Sequence, residues 1–394
     1  MLLRKHIHKL LKDYYRQPHN HVVGSIPSKE PISFKNLLNE WHWRRVFHKL
    51  YKDQQGQWLT PVELFRPYFS QILGNFVASE AIDKKNVHIV ELGGGRGTNA
   101  LEILNYLQSQ YPNVYDKLHY TIMDVSPRLL QLQKNVLVDD YSVDHSYLID
   151  LQEVDIFEVA EGKTKFLDSN DSFTIILAME LLDNLPHDKL QKCSQSGLTL
   201  QTELYHDKRS NHWTEVGRPL DDPCLIDLLK TQPNYHPTVG FPRWVPSIAS
   251  QLLKHIFDCR PNSSVILADF DYLPSPEIVS KSITTRLSVK ADGEPLCTDM
   301  DDIDHECYLT APPLCDILFP TDFYDLAFYT EKVIEKRSLN GTVMLPWEVR
   351  VMKQTEFLAK FGPDQIEATK SRWSGYSPLI HDFSNCSVLY VSRN

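Results

Sequence analysis

The chain has 394 residues, of which 42% are hydrophobic and 23% are charged, enough for two or three domains or for one core with large insertions. Its formal net charge is −10, and this acidic balance argues against nucleic acid as a general partner, because surfaces that bind nucleic acid are usually basic. No apolar run approaches the roughly 18 residues of a membrane span, and the scattered cysteines form no CxxC pair, so we predict no metal site.

The first 75 residues are predicted to form a helical, aromatic-rich N-terminal segment. Its first twelve residues, MLLRKHIHKLLK, carry four basic side chains and no acidic one, with apolar residues at helical spacing. An amphipathic, basic start without acids is typical of an organelle-import presequence. We therefore predict a presequence within residues 1–25 and a location in the mitochondrial matrix. The alternative is an ordinary basic N-terminal helix on a cytoplasmic protein.

A strand, a glycine-rich turn and a helix follow in the run VHIVELGGGRGTNALEILNYL, residues 87–107. Glycines at a strand-to-helix turn allow positive φ angles and let a ligand approach the backbone without meeting a Cβ atom. The start of the helix presents unpaired N–H groups beside that ligand. This turn therefore predicts a loop that binds a nucleotide-type cofactor.

Strands and helices continue to alternate after this loop. Further strands are predicted at 118–124, 146–155, 173–180 and 264–273, with an antiparallel pair at 198–206 and 212–216. Ser126 and Pro127 form a good helix start after the second strand. The alternation predicts a doubly wound, Rossmann-like α/β core over residues 76–273.

A third unit is predicted for residues 274–394. Residues 274–320 are rich in Pro, Asp and Cys and weakly periodic, which indicates an irregular insertion near the substrate side. Helices are predicted at 322–336 and 347–361, and a closing strand at 386–392.

The acidic residues that follow the strands indicate which nucleotide the loop binds. The run GGGRG does not fit the GxGxxG spacing of dinucleotide sites, and no GK[ST] follows to make a phosphate-binding P-loop. Asp124 ends the second strand, where a carboxylate can accept both ribose hydroxyl protons. Asp155 follows the third strand and is predicted to accept from the adenine amino group, while Ile156 packs on the ring. This series predicts S-adenosyl-L-methionine as the cofactor.

The full set of predicted cofactor-binding residues follows from this reasoning. They are Glu91, Gly93, Gly95, Arg96, Gly97, Thr98, Asp124, Asp155 and Ile156. For Arg96 two roles stay open, namely a contact to the carboxylate at the methionine end of the cofactor and a structural ion pair.

Several of these motifs resemble those of the MidA family of S-adenosylmethionine-dependent methyltransferases. The run ELGGGRGT at 91–98 resembles the family's ELGPGRGT loop, and GQWLTPVE at 56–63 resembles GDFxTAPE. DVSPRL at 124–129, MELLDNLP at 179–186 and the acidic stretch at 315–323 resemble further family motifs. Gly94 replaces the usual proline and Met179 the usual asparagine, which indicates a divergent branch. The resemblance implies a class I methyltransferase core with a helical N-terminal segment and a C-terminal insertion.

The family includes a mitochondrial arginine methyltransferase needed for assembly of respiratory complex I, and the resemblance implies a similar activity on a protein substrate, such as a subunit of that complex. Glu180 and Asp183 follow the fourth strand and are the predicted catalytic residues, because two carboxylates can hold a guanidinium and take up a proton. Thr60 and Glu63 are predicted to lie at the substrate or to close over the cofactor. His187 is an alternative base, although a lone histidine after Pro186 is more often the start of a helix, and a helix is predicted to begin near Pro186. Two alternatives stay open: a non-catalytic assembly factor with a methyltransferase fold, and an RNA or small-molecule methyltransferase.

Overall fold

The structure is a computed structural model, and the account below covers the residues that it describes. These are 1–17, 22–26, 30–52, 57–139, 144–167, 172–209, 212–273, 293–301, 303–305, 307–339 and 347–393. Parts of three predicted features lie outside this range, namely Gly56, residues 18–21 of the presequence and residues 274–292 of the insertion.

The described residues alternate between helices and strands along most of the chain. The helices are α1 (Leu3–Tyr15), α2 (Glu40–Lys52), α3 (Pro61–Leu64), α4 (Tyr68–Ala81), α5 (Thr98–Gln110), α6 (Pro112–Tyr115), α7 (Pro127–Lys134), α8 (Ile156–Ala160), α9 (Pro223–Thr231), α10 (Ser247–Cys259), α11 (Phe323–Leu339), α12 (Gln354–Phe361), α13 (Pro363–Thr369) and α14 (Pro378–His381). The strands are β1 (Val87–Leu92), β2 (Leu118–Asp124), β3 (Ile149–Glu153), β4 (Phe173–Met179), β5 (Asp188–Lys192), β6 (Thr199–Asp207), β7 (His212–Pro219), β8 (Arg243–Val245), β9 (Ser263–Phe270), β10 (Leu296–Thr298), β11 (Asp304–His305), β12 (Asp316–Leu318), β13 (Trp347–Lys353) and β14 (Cys386–Arg393). Among the described helices, none is both long and apolar enough to cross a bilayer.

The main sheet has seven strands in the order β13-β14-β9-β4-β1-β2-β3. The five strands from β9 to β3 are parallel, and β14 and β13 complete the sheet in antiparallel pairing. Both faces of the sheet are covered, because alternate residues of β1 enter different apolar clusters: Ile89 packs on the side of α4 and α5, and Val90 on the side of α8 and α10. The predicted doubly wound α/β core is confirmed.

The chain order along this sheet reverses between β1 and β4. Ligands of open α/β sheets bind at such a point, beyond the carboxyl ends of the strands. The glycine-rich turn after β1, Asp124 at the end of β2 and Glu180 after β4 therefore lie at one edge of the sheet.

Two smaller sheets accompany the main sheet. Strands β5–β8 form an antiparallel sheet inserted between β4 and β9, and β10–β12 form a three-stranded sheet within the predicted insertion. The predicted antiparallel pair corresponds to β6 and β7 and is confirmed. The main sheet crosses the predicted boundary at residue 273, since β9 pairs with β14.

Helix α1 packs into the body of the protein through its apolar face. Leu3 and Ile7 are fully buried in a cluster with Trp244 and Phe319. Arg4 is only 4% exposed and donates hydrogen bonds to two carboxylates, that of Asp188 at the start of β5 at 2.9 Å and that of Asp222 before α9 at 2.8 Å. Cleavage after residue 25 would remove all of these contacts.

Three local predictions from the sequence are wrong. Residues 347–353 form strand β13 rather than the start of a helix, and the helix begins only at Gln354. After Pro186 the chain enters strand β5 and not a helix. Residues 296–318 contain regular strands, because β10 pairs with both β11 and β12, whereas the sequence suggests an irregular segment.

Candidate active site

The glycine-rich turn joins β1 to α5 at the switch point of the sheet. A Cβ atom on Gly94 would lie 2.4 Å from Cγ2 of Ile122, so this position has no room for a side chain. Gly97 precedes α5 with φ of 86°, and a Cβ there would lie 3.1 Å from the backbone of Gln133. Both glycines are therefore required by close packing and backbone conformation.

Glu91, just before the turn, connects the loop to neighbouring elements through hydrogen bonds. Its Oε1 accepts a hydrogen bond from Asn99 Nδ2 at 2.7 Å, and its Oε2 accepts one from the Tyr120 hydroxyl at 3.0 Å. Burial raises its pKa, and these two hydrogen bonds oppose the shift. Both of its oxygens thus contact protein, and its predicted contact with the cofactor stays a prediction.

Asp124 lies at the end of β2 and is 5% exposed. One of its oxygens accepts from the backbone N–H of Ser126 at 2.9 Å, and the other accepts from Gln133 Nε2 at 3.2 Å. The same Gln133 amide also donates to the carbonyl of Gly95 at 3.0 Å. It therefore links the Asp124 side chain to the glycine turn. Burial raises the pKa of Asp124 to about 7.

Asp155, the predicted adenine contact, is engaged by the N-terminal helix. It caps α8 and also pairs with Lys12 Nζ at 2.7 Å and His8 Nε2 at 3.2 Å. Burial opposes ionisation of Asp155, but these two partners lower its pKa to about 2. The His8 ring stacks on Phe157 with 3.9 Å between centroids. Asp155, His8 and Glu158 are close enough to share a cation, yet Lys12 and Lys163 already neutralise the two carboxylates.

A small cavity of about 50 Å³ lies between the glycine turn and helix α3. Glu63 in its wall is 2% exposed, and its Oε1 accepts a hydrogen bond from Thr98 Oγ1 at 2.5 Å. The other oxygen, Oε2, is buried and has no hydrogen-bond partner among the described residues. Arg96 lines the same cavity, and its positive charge acts on Glu63. Thr60 caps α3 and borders both this cavity and a larger chamber.

The larger chamber, of about 950 Å³, extends from the glycine turn over the ends of β2 and β4. Gly93 and Gly95 line both spaces, so the small cavity opens beside the chamber. Its walls are rich in aromatic rings, which come from the N-terminal segment (Tyr15, Phe47, Tyr51 and Trp58), from the end of β9 (Phe270) and from the segment before β14 (Phe383).

Four carboxyl groups converge at the wall of this chamber. Glu180, Asp183 and Asp316 line it, and Asp269 lies behind them. Asp183 is 3% exposed, and its Oδ1 has no hydrogen-bond partner in the described part of the chain. Burial raises the pKa of Glu180 to about 8, helped by the charge of Asp269, and raises the pKa of Asp269 and Asp316 to about 7. Burial and the three neighbouring carboxylates raise the pKa of Asp183 still further above its usual range.

The backbone at Glu180 has an unusual conformation. Its φ is 54°, in the left-handed region that residues with a side chain rarely adopt. Such strain costs about 1–3 kcal/mol and clusters at functional sites. The turn is fixed by a hydrogen bond from the Glu180 N–H to the carbonyl of Ala268 at 2.8 Å, and it directs the chain from β4 across the chamber.

Asp316 is a site residue that sequence reasoning did not assign. It lies on β12 and accepts hydrogen bonds from Asn184 Nδ2 at 2.8 Å and from Trp58. The Tyr15 hydroxyl donates to Asn184 at 2.7 Å and lies 3.5 Å from Asp316. The only sequence signal was the family-like stretch at 315–323, which carries no sign that it folds back onto Asp183.

His187, the alternative base, is buried at 2% exposure outside this group of carboxyl groups. Its ring stacks on Phe319, and neither nitrogen has a hydrogen-bond partner among the described residues. Burial lowers its pKa to about 3, so the ring is neutral. Its contacts are those of a core residue.

Comparison with known proteins identifies the kind of site. Residues 71–340 match the family described as S-adenosyl-L-methionine-dependent methyltransferases. The chain belongs to this family. The predicted resemblance to MidA methyltransferases and the predicted cofactor are therefore confirmed.

Solved structures support the fold of this methyltransferase. A COG1565 superfamily member from Burkholderia thailandensis, bound to S-adenosyl-homocysteine, is 15% identical with a TM-score of 0.59, over 100% of this chain and 88% of that one. A second structure of a COG1565 superfamily protein from the same organism is 14% identical with a TM-score of 0.55, over 94% and 95% of the two chains. No curated protein matches the sequence.

The residues at the switch point fit the methyltransferase cofactor. The glycine turn leaves the backbone open to a ligand, and Asp124 lies at the end of β2. Oε2 of Glu63, which no described residue contacts by a hydrogen bond, can accept one from a ligand. S-adenosyl-L-methionine supplies a methyl group on a positively charged sulfur. The protein has to hold the cofactor and an acceptor atom in line, because such a displacement depends mainly on positioning.

Proposed function

We propose that this methyltransferase methylates arginine side chains of a protein substrate. The proposal rests on one observation above all: Glu180, Asp183 and Asp316 converge in one chamber with Asp269 behind them, and Asp183 Oδ1 has no hydrogen-bond partner within the described ranges. Uncompensated buried carboxyl groups are costly. A planar guanidinium binds carboxylates with two parallel hydrogen bonds and would compensate their charge.

The same carboxyl groups suit the proton balance of the reaction. A guanidinium stays protonated in water and is a poor nucleophile. When a nitrogen of the guanidinium gains a methyl group, it releases a proton, which a nearby carboxylate with a raised pKa can accept. Glu180 lines the chamber with a pKa of about 8, so it gives up its proton once the positive charge of a bound guanidinium stabilises the carboxylate. In that ionised form it can accept the proton released on methylation, and we assign it this role. We assign Asp183 to binding and orienting the substrate.

We also propose how the cofactor occupies the small cavity and the adjoining chamber. Asp124 accepts from the ribose hydroxyls, and Ile156 packs against the adenine, beside Asp155. The small cavity takes the amino-acid head of the cofactor, because Glu63 offers an acceptor to the ammonium group and Arg96 offers a positive charge to the carboxylate. Thr60 supports this wall by capping α3.

Mitochondrial location and a role in complex I assembly are part of the proposal. They are supported by the basic, acid-free start of the chain and by the family resemblance. Because Arg4, Leu3 and Ile7 are buried in the fold, we propose that an import signal in α1 stays on the mature chain.

The test is transfer of a labelled methyl group from S-adenosyl-L-methionine into a mitochondrial extract from cells that lack this protein. We expect the label in a small number of protein bands. The paired variant Glu180→Gln with Asp183→Asn serves as the control, since it keeps the shape of the chamber and removes two carboxylates. We expect it to bind the cofactor and to lose transfer.

Two outcomes would contradict the proposal. Label in RNA or in small molecules would replace the protein substrate with another class. Normal cofactor binding without any transfer by the wild-type protein would instead favour a non-catalytic assembly factor.

A further inference from the structure

Helix α2 carries a basic, aromatic outer face. Its inner face packs through Trp43, which is 1% exposed, and through Val46, Phe47, Leu50 and Tyr51. Its outer side chains are exposed or half-buried and repeat at helical spacing: Trp41, Arg44, Arg45, His48, Lys49 and Lys52. We call these six residues the α2 outer face. At 65% exposure, Trp41 is among the most exposed large apolar side chains of the described residues.

A second segment extends this surface. The Ser371 hydroxyl donates to the carbonyl of Leu37 at 2.5 Å, and the Arg372 N–H donates to the carbonyl of Lys35 at 3.2 Å. These bonds hold the turn at 371–374 against the chain that leads into α2. Leu38, at 56% exposure, and Trp373, at 74%, therefore lie in neighbouring segments beside the start of the helix.

The charge of this surface opposes that of the whole chain. The net charge is −10, whereas the α2 outer face bears four Lys or Arg residues and no acid. Arg44 pairs with Glu40, and Arg45 lies 4.8 Å from the centre of the Trp41 ring. Among the described residues, Arg45, Lys49 and Lys52 make no ion pair. Their charge is thus available to an external anionic partner.

We infer that the α2 outer face, together with Leu38 and Trp373, docks the protein on an anionic lipid surface. Basic side chains are attracted to anionic headgroups, and exposed Trp residues favour the interface between headgroups and acyl chains. The exposed side of a helix is convex, which suits a flat bilayer better than a peptide that needs a groove. Clustered exposed apolar residues mark such interaction sites.

This docking surface adjoins the active-site chamber. His48 and Lys52 belong both to the α2 outer face and to the chamber lining. Docking through α2 therefore brings the chamber close to the lipid surface. The inference does not depend on arginine as the methyl acceptor, so the two proposals fail independently.

The test is sedimentation of the full-length protein with vesicles of phosphatidylcholine, with and without phosphatidylglycerol. We expect binding to the mixed vesicles, weaker binding at high salt and little binding to phosphatidylcholine alone. Each basic side chain near an anionic surface contributes roughly fivefold to binding. The double variant Arg45→Glu with Lys49→Glu should therefore bind at least about 25-fold more weakly.

Matched variants separate this surface from general effects of charge and aromatic rings. Lys336→Glu and Tyr324→Ala change exposed residues of α11 and should leave vesicle binding unchanged, whereas Trp41→Ala should weaken it. Affinity for S-adenosyl-homocysteine, measured in parallel, should be the same for all of these variants and reports that each is folded. Equal binding to both kinds of vesicle, no binding to either, or full binding by the double variant would overturn the inference. Preferential binding of single-stranded RNA over mixed vesicles would overturn it as well.

Discussion

Replacing Glu63 by glutamine tests how the amino-acid head of the cofactor is held. The buried Oε2 of Glu63 has no hydrogen-bond partner among the described residues, and Glu63 lines the small cavity together with Arg96. In our account it accepts a hydrogen bond from the cofactor's ammonium group. A hydrogen bond to a charged group contributes about 1.5–3 kcal/mol, which corresponds to roughly 10- to 150-fold in affinity.

Two ligands isolate this contact in calorimetric titrations. S-adenosyl-homocysteine carries the amino-acid head, and 5′-methylthioadenosine lacks it. We expect Glu63→Gln to weaken binding of the first ligand by about 10-fold or more and to leave the second unchanged. Glu102→Gln is the control. Glu102 lies on α5, close enough to Glu63 for the two charges to interact, but it does not line the cavity. Equal losses for both ligands would refute the reasoning, since they would indicate general damage to the fold.

Three further predictions concern the adenosine contact, the acidic wall of the chamber and α1. Asp124→Ala should lower affinity for S-adenosyl-homocysteine by about 100-fold or more, because ribose hydroxyls would lose a charged acceptor in a dry site; calorimetry showing unchanged affinity would exclude the role of Asp124. Glu180 has a pKa of about 8 in the fold, so the native chain keeps a proton that the unfolded chain releases, and the free energy of unfolding should fall as pH rises from about 5 to about 7. Urea titrations should find this decline shallower in Glu180→Gln by about 1.4 kcal/mol per pH unit, and parallel declines would contradict the shift. Arg4→Met should lower the free energy of unfolding by about 3–5 kcal/mol, because it leaves Asp188 buried without its cation, and a loss below about 1 kcal/mol by the same urea titrations would show that α1 contributes little.

The cofactor-binding part of the fold could be predicted from the sequence because the patterns that define it are local. The glycine turn, the strand before it and the Ser126 cap each lie within one short stretch of chain. Parallel buried strands also read as continuous apolar runs. These features predicted the switch point and the position of Asp124 at its edge.

Strand β13 carries a local sequence signal, an alternation of apolar and polar residues, that contradicts the predicted helix at 347–361. Trp347, Val349 and Val351 alternate with polar residues, which is the period of a strand. The following residues have helical periodicity and do form α12, and the predicted helix starts too early because it includes the residues of β13. Boundaries between adjoining elements are decided by tertiary pairing, here with β14.

The substrate side could not be read from sequence because it is assembled from distant segments. Tyr15 and Asp316 are 301 positions apart, yet they meet at Asn184. Lys12 reaches Asp155 across 143 positions. Periodicity and spacing within one segment carry no information about such contacts. The sequence of α1 therefore predicts a targeting signal and gives no indication that this helix contacts the cofactor pocket.

The most direct test of the account is identification of the methylated residue in the labelled protein. Complete acid hydrolysis followed by chromatography separates methylated arginines from other methylated amino acids. The account predicts that the label elutes with methylarginine and is absent after incubation with the Glu180→Gln, Asp183→Asn variant. Label in any other amino acid, or equal label from the variant, would contradict the assignment of the acidic chamber to a guanidinium.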